Sequence, residues 1–155
     1  MINRTLSIIA AAVILVLTGG LYWSSQVQQN TQADEAAVRA VVVQFGSNLD
    51  KVSTLSPTAG GEIAAAYGPY VSSSLLSIWQ KTPAIAPGKL VSSPWPDHID
   101  IRSVQKTDAY YHVEGTIVLM TEADKVQNSN SGSIPAHMIV SKSDNRWKIS
   151  TFQSP

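Results

Sequence analysis

The chain contains no cysteine. No disulfide can stabilise it, no thiolate can serve as nucleophile or metal ligand, and lipid attachment through a lipobox cysteine is excluded. Charge is scarce as well. Only 14% of the 155 residues are Asp, Glu, Lys or Arg, against 44% hydrophobic, whereas soluble domains carry about a quarter charged residues. Eleven basic residues balance eleven acidic ones. There is therefore no basic face of the kind a nucleic-acid binder needs, and no electrostatic pull toward anionic lipid headgroups. No glycine-rich phosphate loop precedes a helix and no GxSxG is present, so the common nucleotide and serine-hydrolase signatures are missing.

Part of the charge shortage is local. Residues 6–23 read "LSIIAAAVILVLTGGLYW", without one charge. As a helix this run spans roughly 27 Å, close to the hydrocarbon thickness of a bilayer. Arg4 and the N-terminal amine precede it, and the next positive charge is Arg39. That asymmetry predicts a short cytoplasmic tail (1–5), a transmembrane anchor (6–23) and everything else outside the cytoplasm. Tyr22 and Trp23 fall where an interfacial aromatic pair belongs. The alternative is a signal sequence that is cleaved, leaving a secreted chain, but a small-x-small cleavage site is hard to place. The expected location is the bacterial cytoplasmic membrane, single-pass, N-in. Residues 24–33, "SSQVQQNTQA", are polar and uncharged and read as a flexible stalk. A globular domain fills 34–155.

That domain begins with a helix. Asp34 is a candidate N-cap, and Val38, Val42, Phe45, Leu49 and Val52 recur at helical spacing. The stripe predicts the core face of a helix lying on a sheet. A second helix is expected over 62–67 and a third after Ser72 or Ser73, ended by "KTPAIAPGK" because proline cannot continue the ladder. After Pro96 the period becomes that of strands. Ile99 and Ile101 alternate with Asp100 and Arg102. "AYYHVEGTIVLMTEA" is a long strand with Tyr111, Val113, Ile117 and Leu119 on one face, and mid-strand Gly115 predicts a bulge or sharp bend. "DKVQNSNSGS" reads as a polar loop. "IPAHMIVSK" and "RWKISTF" are joined by a tight turn at Asp144–Asn145.

Helices followed by a curved antiparallel sheet make an α+β domain. This order, with the "YGPYVSSSLLSIWQ" helix, the glycine-bent strand and the closing "NRWKIS" strand, resembles the nuclear-transport-factor-2-like (cystatin-like) superfamily. The resemblance covers about residues 34–153. It implies a cone-shaped fold in which a helix lies in the concavity of the sheet. The "SSPWPD" element also resembles one found in bacterial proteins with a single N-terminal anchor. The superfamily hosts enzymes, ligand pockets and scaffolds, so the fold alone assigns no activity.

The most chemically suggestive stretch is "PWPDHIDI". Asp97, His98 and Asp100 could form an acid–base group if they converged on one pocket. In a strand, Ile99 and Ile101 claim the core face and leave His98 and Asp100 to solvent. A stiff structural entry to the strand is therefore expected, with Trp95 capping the core edge or forming a binding lip. A hairpin centred on residues 124–132 pairs His137 near Val118, about 20 Å from His112 along the strand. No metal site is expected, since zinc needs ligands about 2 Å from one point. The superfamily's isomerase-type enzymes imply a tyrosine and a buried carboxylate. Tyr67, Tyr70 and Tyr111 could supply the first, but Glu62, Asp100, Glu114 and Glu122 have no evidently apolar inward position.

No catalytic or cofactor-binding residue is assigned. The leading expectation is a membrane-anchored extracytoplasmic interaction or assembly module, with Trp79, Trp95, Tyr67, Tyr70, Asp97 and His98 as the partner or ligand surface. Its partners would be the bilayer through residues 6–23 and another protein or a second copy of itself, and no nucleic acid. The alternatives are a small-ligand binder, or an isomerase or hydrolase, using a pocket between helix and sheet. A polar pocket would favour the alternatives, and a filled cone with an apolar patch would favour the module.

Overall fold

Helix-forming sequence occupies the front of the chain and strand-forming sequence the back. The structure, a computed structural model, describes residues 30–90 and 93–155 and follows that division. Two compact units are present, residues 1–36 and 37–155. Of the first, residues 30–36 are described, and they are helical. The expected tail, anchor and most of the stalk lie outside the described residues. Among the described residues no helix is long and apolar enough to cross a membrane.

Helix α1 covers residues 30–46. Residues 30–33, expected in the stalk, are already helical, and Asp34 lies inside the helix and not at its cap. Nothing in "NTQAD" breaks a helix, since proline and glycine are both absent from it. The apolar stripe behaves as expected. Val38, Val42 and Phe45, then Leu49 in a 3-10 turn and Val52 beyond it, are all fully buried. Helix α2 spans Ala59–Tyr67 and α3 spans Ser73–Lys81. Ser72 is the N-cap of α3, its hydroxyl accepting from the Leu75 amide at 3.3 Å.

The back half is a four-stranded antiparallel sheet in sequence order. Its strands are β1 (Trp95–Lys106), β2 (Tyr110–Met120), β3 (Gly132–Ser143) and β4 (Arg146–Gln153). Asp144 and Asn145 make the predicted tight turn, with φ of 51° and 59°. Those left-handed values suit Asp and Asn and match the twist of a hairpin. Two register shifts in β1 oppose Pro96/His98 and Ile101/Ser103 to β2. The second faces Gly115, so the irregularity predicted at that glycine sits on the neighbouring strand. A Cβ at Gly115 would lie 2.6 Å from the Asp100 carbonyl oxygen. The close approach of β1 and β2 at the bend is what requires glycine.

Two sequence expectations fail between β2 and β3. The supposed polar loop holds a short helix, α4 (Glu122–Gln127), started by a capping box in which Thr121 and Asp124 satisfy each other's backbone amides. The motif "TEAD" carries that signal. The register also differs. Glu114 pairs with His137 and His112 with Ile139, so His137 lies beside Glu114 and not near Val118. The short helix α4 centres the connection earlier in the chain than an open loop over 124–132 would.

The helices meet the sheet through four aromatic rings. Phe45 of α1 lies 4.9 Å from Tyr67 of α2, 6.0 Å from Trp79 of α3 and 5.7 Å from Phe152 of β4, centroid to centroid. Trp79 closes the ring with T-shaped contacts to Tyr67 and Phe152 at 5.8 and 5.9 Å. Such pairs add about 0.5–1.5 kcal/mol each beyond area burial. The outer edge of β4 is capped at Ile149. Ile149 donates to the Tyr70 carbonyl and accepts from the Ser72 amide, both at 2.9 Å, so residues 70–72 form a parallel bridge along it. At that point the edge cannot recruit another strand.

Gly115→Ala should destabilise the fold by about 1–3 kcal/mol through the clash with β1. Gly61→Ala, where nothing lies within 4 Å, should be neutral or stabilise by up to about 1 kcal/mol through helix propensity. Urea denaturation of both variants reads the difference, and equal effects would remove the steric account of the bend.

Candidate functional site

Asp97, His98 and Asp100 come together in space. His98 Nδ1 lies 2.8 Å from Asp97 Oδ2, and its Nε2 lies 3.5 Å from Asp100 Oδ1. Alternation explains the second contact. The register shift at Pro96/His98 explains the first, because it lets adjacent residues share a side of the strand. Lys125 of α4 reaches Asp97 Oδ1 at 3.3 Å and lies 5.7 Å from the centroid of Trp95. Burial pushes the Asp97 carboxyl up, but hydrogen bonds from His98 and Lys125, with the charges behind them, outweigh it and hold the group below the usual range. His98 and Asp100 are 42% and 67% exposed, while Ile99 is buried. The cluster thus faces solvent and fastens α4 to β1. Among the described residues its carboxylates are engaged by His98 and Lys125 at the surface.

The remaining expected surface residues scatter. Trp79 is 2% exposed and Tyr67 fully buried, so neither presents a surface to a partner, and a shared Trp79–Trp95 surface does not form. Both belong to the aromatic core, because α3 and α2 turn their apolar faces onto Phe45. Burial drives the Tyr67 phenol far above its ordinary range, with Asp50 adding to the effect. Its hydroxyl donates to the Pro87 carbonyl at 2.6 Å. Tyr70 is half-buried beside the capped edge of β4. Glu62 accepts from the Ser53 amide and the Thr58 hydroxyl and lies on the surface. His112, Glu114 and His137 are neighbours on the exposed sheet face after all, yet the described residues contain no group of three ligands able to hold a metal.

Among the described residues a concave feature lies elsewhere. A groove of about 780 Å³ runs between the segment after α3 and the end of the sheet. One wall is Ala84–Gly88 with Leu90, the other is Pro94 and Pro96, and Ile117, Leu119, Ile134 and Phe152 form the floor. No ionisable side chain lines it among the described residues; Gln153 and Ser154 supply polar groups at one end. Ile85 and Leu90 remain 58% and 54% exposed. The first wall is fixed from behind. Lys89 donates to the Val52 carbonyl at 2.8 Å and accepts from the Thr54 amide at 3.1 Å, and the Tyr67 hydroxyl holds Pro87. A Cβ on Gly88 would sit 2.9 Å from both the Val52 oxygen and Thr54 Cγ2. Only glycine lets the wall lie this close.

Sequence reasoning read "KTPAIAPGK" merely as the end of α3. The available signal was its chemistry. From Pro83 to Gly88 an exposed connection carries no charge and no hydrophilic side chain, unusual for a loop that meets only water. No family model, curated protein or solved structure matches the chain. The groove's geometry is that of a site for apolar matter. It is large enough for a small ligand, preformed, and without an ionisable side chain in its described lining.

The anchoring of α4 gives a pH test. Asp124 accepts from the Ser131 hydroxyl, from the Thr121 hydroxyl and amide at 2.7 and 2.8 Å, and from the Ser129 hydroxyl at 2.9 Å. In that order these bonds hold its carboxyl far below the ordinary aspartate range. A lowered folded pKa means its stabilisation is fully present above about pH 4 and lost as pH falls toward the folded value. Carboxyl NMR should show Asp124 still ionised once ordinary aspartates have protonated. Asp124→Asn should remove that low-pH dependence and accelerate amide exchange at Ser129 and Ser131. An ordinary titration midpoint would contradict the assignment.

Proposed function

We propose that the chain is a non-catalytic binding module of the bacterial envelope. In this reading residues 6–23 hold it in the cytoplasmic membrane, residues 34–155 lie outside, and the groove receives an apolar ligand. The observation that carries it is the lining, mainly apolar side chains on both walls and the floor, with no ionisable side chain among the described residues. An acyl-transfer or isomerase site needs at least one placed proton donor or acceptor at the reacting atom. Tyr67, the best-placed tyrosine for such chemistry, spends its hydroxyl on the wall. The curved sheet and the order of helices support a cone of the nuclear-transport-factor-2-like kind, with the aromatic core filling its depth and the groove at its mouth. Of the classes expected from sequence, the small-ligand binder gains most from this arrangement, and the anchor gives it a place beside the bilayer.

A photoreactive, uncharged alkyl diazirine tests this on the full chain in bacterial membranes. Adducts mapped by mass spectrometry should concentrate on residues 84–96 and 152–155. Leu90→Glu, a charge on an already exposed rim position, should suppress them. Labelling that instead follows exposure, with Leu55 and Val126 (68% and 88% exposed) modified as readily as the groove, would sink the reading.

A further inference from the structure

The groove crosses the sheet. Pro96 of β1 pairs with Leu119 of β2, and Ile117 of β2 pairs with Ile134 of β3. These four residues line the groove together with Phe152 and Gln153 of β4. Its floor therefore draws on all four strands, three interstrand steps or roughly 14 Å. The two ends differ. Pro94 and Pro96 stand at the β1 end, and proline has no N–H to offer an occupant. Gln153 and Ser154 stand at the β4 end, both exposed. Between the ends, backbone groups are already used. The amides of Ile85 and Ala86 donate to the Thr82 and Pro83 carbonyls at 3.2 and 3.0 Å. Pro87 has no amide proton, and its carbonyl accepts from the Tyr67 hydroxyl. Ile117 and Leu119 lie in a strand paired on both sides. An ion seated here would find no counter-ion in the described lining, and an unpaired charge in an apolar site is costly. Lys89, which follows Gly88, is faced by the Glu62 carboxylate and supplies none.

We infer that the occupant is an uncharged single-chain amphiphile with a hydroxyl head, its alkyl chain crossing the floor from β1 to β4 and its hydroxyl at Gln153 and Ser154. This rests on the groove being a binding site, as proposed above, and adds the charge, length and direction of the occupant. At about 1.2 Å per bond of an extended chain, the floor takes a chain of about twelve carbons. The Gln153 carboxamide and the Ser154 hydroxyl each donate and accept, so together they match both functions of an alcohol. A plain hydrocarbon would cover the β4 end without replacing the water bonded there. A charged head would lose its own hydration for neutral partners only.

The test uses the full chain in lipid nanodiscs, with the uncharged alkyl diazirine as reporter. Dodecanol, dodecane, dodecanesulfonate and dodecyltrimethylammonium compete separately for the adducts on residues 84–96 and 152–155, each at a known mole fraction in the lipid. The last two carry a fixed charge at any working pH. Dodecanol should displace the label at a mole fraction about fivefold below dodecane, the scale of one neutral hydrogen bond, and roughly tenfold or more below either ion. Gln153→Leu combined with Ser154→Ala should remove the advantage of dodecanol and leave competition by dodecane unchanged. Equal competition by dodecanol and dodecane, unmoved by the two substitutions, overturns the head-group assignment while the groove remains an apolar site. Stronger competition by either ion overturns the uncharged assignment. A diazirine that never concentrates on the groove removes both readings together.

Discussion

Phe45 is the side chain on which the rest of the structure leans. Its ring touches one aromatic from each of α2, α3 and β4. Removing it would leave three rings facing a void, a change that costs about 3–5 kcal/mol in well-packed cores. That is a large part of the stability of a domain this size. The contact also sets the orientation of the helices against the sheet. Tyr67 is held by Phe45 and in turn holds Pro87 through its hydroxyl, so packing in the core is transmitted to the groove wall by a single hydrogen bond.

Much of this was legible from residue pattern. The stripe from Val38 to Val52 named five core residues because helical spacing and burial are the same statement. The turn at Asp144–Asn145 was legible because few residues tolerate left-handed backbone. Gly115 announced a bend, though not which strand would carry the irregularity. Three things were hidden. Trp79 and Tyr67 looked like surface aromatics because a short helix broken by Gly68–Pro69 gives too few turns to fix its inward face. The helix at Glu122–Gln127 was masked by polar composition, although Thr121 and Asp124 spell its cap. The groove depends on residues from the connection after α3, from the start of β1 and from the end of β4, and no local pattern brings those together. The anchor at residues 6–23 remains a reading of hydropathy and charge.

The stretch that looked most like chemistry, Asp97–His98–Asp100, turns out to be a fastening. Its charges meet one another and Lys125 at the surface, where such pairs contribute little individually. Their effect is positional. They hold α4 against the start of β1. The stretch that looked least like chemistry, the proline-containing run after α3, forms the wall. Polar residues clustered in sequence often stabilise local geometry, whereas an apolar run left on the surface calls for an occupant.

Phe152 belongs to two structures at once, being one of the four core rings and part of the groove floor. Its partner Phe45 lies near the opposite end of the described chain. Long-range contacts of this kind form late, after the costly closure of a large loop. The groove therefore has no existence on a partly folded chain, because its floor arrives with the last strand. An occupant seated on Phe152 grips the same ring that closes the core, so whatever it adds by binding is added equally against unfolding. For a protein with no disulfide to hold it, a bound occupant would serve as the missing clasp.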